Sequence, residues 1–152
     1  MNETLIPVDT DLLRALQSDY LAEGYKKDSV YLARLKSSAN QCTGLFKITD
    51  AYPPSDGIFH LSMTTVTNCI SQLGIVYAGL LNGLKKKCSE VYVMEYNIRF
   101  LRPINELEFT ITAAMSQSRR KARGIIYTMK GEVQQGAFCY EVIFLFPIAE
   151  AI

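Results

Sequence analysis

The stretch Phe59–Leu84, FHLSMTTVTNCISQLGIVYAGLLNGL, constrains the fold most. Val66, Ile70, Leu73, Tyr77, Leu80 and Leu84 recur at steps of three and four, so they share one helical face. Gly74, Gly79 and Gly83 interrupt the pattern, each costing about 1 kcal/mol of helix propensity relative to Ala. Apolar residues also flank the face, at Ile75, Val76 and Leu81. Such a helix is poorly suited to standing in solvent and calls for neighbours that press close to its backbone.

The rest of the chain supplies the wrapping. Asp9 or Thr10 caps a short helix expected over Asp11–Leu21, and Gly24 ends that region. Ser29–Ser37 and Thr43–Thr49 read as a hairpin turning at Ser38–Gln41. In the first strand Val30, Leu32 and Arg34 share one face, and Tyr31, Ala33 and Leu35 the other. Asp50–Gly57, DAYPPSDG, is an ordered loop that delivers the chain to His60.

Four strands follow the helix: Val91–Leu101, Glu108–Gln117, Ala122–Gln134 and Gly136–Pro147. In the first, Tyr92, Met94, Tyr96, Ile98 and Phe100 share a face, and turns are expected at Ser116–Arg120 and Gln134–Gly136. Strands gathered around one long helix argue α+β: about six mostly antiparallel strands wrapped around a central helix, the hotdog fold. The 152 residues make one domain, with 1–24 as an N-terminal helical segment. A small sheet of long strands leaves an edge to protect, so a homo-oligomer, a dimer or a dimer of dimers, is expected.

A formal charge of +1 gives no reason to expect nucleic acid or an anionic membrane as partner. Lys85–Lys87 and Arg119–Lys121 read as solvated turns, or as a contact for an anion. The apolar run Val66–Leu84 is broken by glycines, Asn68, Ser71, Gln72 and Asn82 and does not read as a membrane span. Four cysteines without zinc spacing fit free thiols in a reducing cytoplasm. With one histidine, neither a metal site nor a Cys69 nucleophile has its partners, and no G-x-S-x-G motif is present.

From residue 20 to 147 the chain resembles hotdog-fold thioesterases and dehydratases. The phrases Asn97–Ile104 (NIRFLRPI) and Ile70–Gly74 (ISQLG) carry the likeness. Within that superfamily it is most similar to the FcoT-like branch, through Tyr52, His60 and the Gln72-Leu73 pair that follows His60 by twelve residues. Members of that branch are dual-function thioesterases that add glycine to an α,β-unsaturated acyl thioester. The dehydratases carry an acid where this chain has Asn68, and no acid lies between Asp56 and Glu90, so dehydration is disfavoured.

The resemblance implies a substrate carried by coenzyme A or by the phosphopantetheine of an acyl carrier protein, with no other cofactor. It implies Michael addition of glycine or a similar amine, with possible hydrolysis to a β-amino acid. A plain acyl thioesterase and a non-catalytic acyl-binding or dimerisation module are the alternatives. The residues agree with such chemistry. His60 is the one side chain suited to moving a proton near neutrality, and a helix beginning at Ser62–Thr67 offers unpaired amides to an oxyanion. Tyr52 and Thr43 are expected to supply hydroxyls to the substrate. Ser62, Thr65, Asn68 and Ser71 complete the expected binding set, with Ser62 and Thr65 also natural helix caps.

Overall fold

The structure, a computed structural model, describes residues 7, 9–16, 29–51, 54–87 and 89–148. The element order is α1 (Thr10–Leu16), β1 (Ser29–Ser37), β2 (Gln41–Asp50), α2 (Met63–Leu81), β3 (Tyr92–Phe100), β4 (Glu108–Lys121), β5 (Gly124–Val133) and β6 (Phe138–Pro147). One six-stranded sheet runs in the order β1-β2-β4-β5-β6-β3, every neighbouring pair antiparallel. The expected α+β architecture is the one found. Asp9 accepts from the Leu12 amide at 3.1 Å and starts α1. The helix is described only to Leu16, so its expected extension to Leu21 and the stop at Gly24 lie outside the described residues.

The face of α2 turned to the sheet carries Val66, Ile70, Leu73 and Tyr77, each fully buried. β6 answers with strict alternation: Phe138, Tyr140, Val142, Phe144 and Phe146 all point inward. Period 3.6 on the helix and period 2 on the strand meet in one core. Gly74 suits that approach, since a Cβ there would stand 3.2 Å from the end of the Met129 side chain and 3.4 Å from the Phe144 ring, which would have to give by a few tenths of an ångström. At its far end α2 is anchored by two bonds: Tyr77 Oη donates to the Ser38 carbonyl (3.1 Å) and Asn82 Nδ2 to Tyr127 Oη (2.9 Å). Cys42 lies in the same core, and burial pushes its thiol up to about 11, far from a reactive thiolate.

Several details depart from the sequence reading. Leu80, expected on the buried face, is 50% exposed, and Leu84 lies beyond the end of the helix. Gly79 has open space beside it, not a close neighbour. On β1 a register shift between Leu32 and Arg34 moves Leu35 to the side of the half-buried Val30 and Leu32, away from the exposed Tyr31 and Arg34. The turn expected at Ser116–Arg120 is strand: β4 runs on to Lys121 and turns at Ala122–Arg123. The Gln134–Gly136 turn stands as expected, with positive φ at all three residues. On β3, Tyr96 and Ile98 are half-buried, while Tyr92, Met94 and Phe100 are exposed, because β3 is an edge strand with a register shift between Val93 and Glu95.

Candidate functional site

His60 stands just ahead of α2, in a segment whose backbone is held on both sides of it. Asn105 Nδ2 donates to the Phe59 carbonyl (2.8 Å), and the Leu61 amide donates to the Ile104 carbonyl (2.8 Å). Residues 101–105 are in turn fixed to the β5–β6 turn. The Leu101 and Arg102 amides both donate to the Ala137 carbonyl, and Arg102 Nη2 reaches the carbonyls of Gln134 (3.0 Å) and Gln135 (3.2 Å). The His60 side chain is left exposed in a hollow of about 350 Å³, between Leu61, Phe100, Leu101, Arg102, Pro103 and Phe138. Phe100 and Phe138 meet edge to face there, ring centres 4.6 Å apart. One imidazole, one guanidinium and an aromatic wall therefore share one surface.

The start of α2 is built by its cap. Ser62 is extended (φ −77°, ψ 155°), and its Oγ accepts from the Thr65 amide at 3.1 Å while donating to Thr65 Oγ1 at 3.0 Å. Leu61 before the cap and Val66 four residues into the helix are both buried, the arrangement of a hydrophobic staple. The amides of Met63 and Thr64, first and second in the helix, have no partner among the described residues. They form the positive end of a 19-residue helix that carries no acid. Replacing Ser62 by Ala is expected to cost about 1 kcal/mol of stability. Chemical denaturation reads this directly, and an unchanged midpoint would remove the cap from the account.

The seven residues expected at the site do not all come together. Ser62 caps α2 two residues after His60 and bonds to Thr65, but neither lines the hollow at His60. Asn68 is exposed one turn further along α2. Ser71 is half-buried in a separate narrow apolar slot of about 40 Å³, with Ile70, Gly74, Val93 and Phe144. Thr43 does not join His60: it points to the outer side of β2, between the inward Cys42 and Gly44, and lines a different hollow with Gln41, Thr112 and Lys130. Tyr52 lies outside the described residues.

Arg102, Asn105 and the Phe100–Phe138 pair belong to the site without having been expected there. The Arg102-Pro103 step was legible only as the end of a strand. Burial raises the pKa of the Tyr96 phenol, whose hydroxyl sits near Thr67 without a well-formed hydrogen bond. The Thr67 hydroxyl donates to the Met63 carbonyl. Among the described residues no three His, Cys, Asp or Glu side chains gather to hold a metal ion, and no helix is long and apolar enough to cross a membrane.

No family model matches the sequence, and no curated protein matches it. Solved structures do. A thioesterase from Haemophilus influenzae superposes with a TM-score of 0.53 at 12% identity, covering 95% of this chain and 95% of its own. A mutant thioesterase from Pseudomonas aeruginosa superposes with a TM-score of 0.52 at 13% identity, covering 93% of this chain and 96% of its own. At such identities the likeness speaks for the fold, and the fold this chain shares with both thioesterases is the hotdog fold.

Proposed function

We propose that the chain hydrolyses acyl thioesters carried by coenzyme A or by an acyl carrier protein. The observation that carries this reading is an exposed, backbone-anchored His60 two residues ahead of the Ser62 cap of α2, whose Met63 and Thr64 amides have no partner among the described residues. In the proposed step His60 takes a proton from water as the water oxygen bonds to the carbonyl carbon. The carbonyl oxygen, now negative, is met by the Met63 and Thr64 amides. The C–S bond then breaks, and His60 returns the proton to the departing thiolate. Phe100, Leu101 and Phe138 offer the acyl chain an apolar surface. The fold shared with thioesterases agrees with this assignment.

Glycine addition to an enoyl thioester is the second reading, and the lack of a carboxylate on α2 favours it. An amine attacking the β-carbon needs only its ammonium proton removed and a proton returned at the α-carbon, which is within the range of one imidazole. Neither reading needs a cofactor beyond the carrier's own phosphopantetheine. Mass spectrometry of an enoyl thioester incubated with and without glycine separates the two. Free acid regardless of glycine supports hydrolysis, a glycine-dependent adduct supports addition, and an unchanged thioester sinks both.

We propose further that the chain is a homodimer paired through β3. That strand lies at the sheet edge and exposes Tyr92 (60%), Val93 (49%) and Met94 (55%). A free apolar edge invites pairing with another strand. Sedimentation equilibrium is expected to give a dimer for the native chain and a monomer for Tyr92→Glu/Met94→Glu. A monomeric native chain would remove the proposal.

A further inference from the structure

Arg102 brings a positive charge to the hollow at His60, and nothing there offsets it. No carboxylate is among the residues that line the hollow. Arg102 has no ion pair among the described residues. Glu106, the nearest acid in sequence, stands outside the lining and accepts from the Asn105 amide at 3.1 Å.

The guanidinium is nevertheless fixed in place. Nη2 donates to the carbonyls of Gln134 (3.0 Å) and Gln135 (3.2 Å), the two residues that turn the chain with φ of 47° and 55°. The Arg102 amide donates to the Ala137 carbonyl at 3.3 Å, and Pro103 stiffens the backbone just beyond. Backbone carbonyls hold a cation without neutralising it.

Bracing the β5–β6 turn is a structural use for Arg102, and it occupies Nη2 alone. The N–H groups on Nε and Nη1 have no partner among the described residues. Such a group is complementary to an anion, since a charge-assisted hydrogen bond is about twice as strong as a neutral one. Size and walls say which anion. A volume of about 350 Å³ holds roughly a dozen water-sized groups at ~30 Å³ each, the scale of one short acyl group. The phosphates of a carrier lie a whole pantetheine arm away from the thioester, beyond so small a space. Phe100 and Leu101, 47% and 60% exposed, line the same hollow and suit methylene groups.

We propose that Arg102 selects acyl thioesters whose acyl group ends in its own carboxylate, the monothioesters of short dicarboxylic acids. The methylenes lie on Phe100 and Leu101, and the carboxylate accepts from the open N–H groups of Arg102. The inference rests on the reading of this hollow as the acyl site.

Adipyl and hexanoyl thioesters of N-acetylcysteamine test it. They differ only at the far carbon, carboxylate against methyl, and neither carries a phosphate. The native chain is expected to hydrolyse the adipyl thioester with a kcat/KM about tenfold or more above the hexanoyl, the difference lying in KM. Arg102→Gln keeps an amide N–H for the turn carbonyls and removes the charge, so the ratio should fall to about one. Arg102→Lys keeps the charge and should retain about threefold. Because the ratio compares two substrates on one preparation, a loss of folded protein does not move it.

A residue that only braced the turn would lower both rates alike in Arg102→Gln and leave the native ratio, which overturns the proposal. Equal kcat/KM for the two thioesters in the native chain overturns it as well. So does a preference confined to coenzyme A thioesters, which would assign Arg102 to the carrier's phosphates. Titration calorimetry of His60→Ala with the same two thioesters reads the preference without turnover. Tighter adipyl binding there, with no hydrolysis by the native chain, would remove the hydrolytic reading and leave this one standing. Equal binding of the two overturns this one alone.

Discussion

Turnover of an acyl thioester is expected to fall between a hundredfold and ten-thousandfold, roughly, when His60 is replaced by Ala, with no change in melting temperature. The separation of the two effects is what makes the substitution informative. His60 is exposed, and the two hydrogen bonds that fix its segment are made by the Phe59 carbonyl and the Leu61 amide, not by the imidazole. Removing the ring therefore leaves the path of the chain, the Ser62 cap and the start of α2 in place. It removes the proposed proton carrier while the Met63 and Thr64 amides stay where they are. Residual activity above the uncatalysed rate is accordingly expected from the amides alone. Steady-state rates on a thioester series, read beside a thermal melt, settle the point. Turnover in His60→Ala within twofold of the native chain would remove His60 from the chemistry, whichever nucleophile is used.

What the sequence made legible, and what it did not, follows from the range of the forces involved. Val66, Ile70, Leu73 and Tyr77 could be assigned to the core because their spacing is a local property of one helix, and the structure buries all four. Ser62 could be read as a cap because the cap bond closes over three residues, whereas Thr65, the other candidate, is the helical residue whose amide Ser62 caps. The β1 bulge could not be read, because a register shift is decided against β2 and leaves no mark on β1 itself. Thr43 illustrates the same limit. Alternation separates it from Cys42 and Gly44, but only the placement of α2, through Leu73, against Gly44 decides which side of β2 faces the core. The Ser116–Arg120 stretch is polar because its end of the β4–β5 hairpin stands in solvent, so polarity imitated a turn. Arg102 and Asn105 act on residues more than 30 positions away, and no local pattern announces such bonds.

Gly131→Ala is expected to destabilise the fold by about 2–6 kcal/mol, through two costs that share one cause. Gly131 lies on β5, opposite Ala113 of β4 and Tyr140 of β6. Tyr140 reaches past it so that its Oη donates to the Thr112 carbonyl at 2.7 Å. A Cβ at position 131 would stand 1.8 Å from that carbonyl oxygen and 2.8 Å from the Tyr140 hydroxyl. The nearer obstacle is backbone, which cannot rotate away, so β4 and β5 would have to separate locally. That strain costs roughly 1–3 kcal/mol. Moving the carbonyl also breaks the Tyr140 bond and strands a buried hydroxyl, at roughly another 1–3 kcal/mol.

The two costs can be told apart. Tyr140→Phe removes the hydroxyl in advance, so the double variant should be less destabilised than the sum of the singles, by about 1 kcal/mol or more. Gly79→Ala is the internal contrast, because its Cβ enters open space and the helix gains up to about 1 kcal/mol. Denaturant midpoints of the four proteins therefore carry opposite signs at the two glycines. If Gly131→Ala unfolds within 1 kcal/mol of the native chain, the close crossing of Tyr140 over Gly131 is not what holds β4, β5 and β6 together.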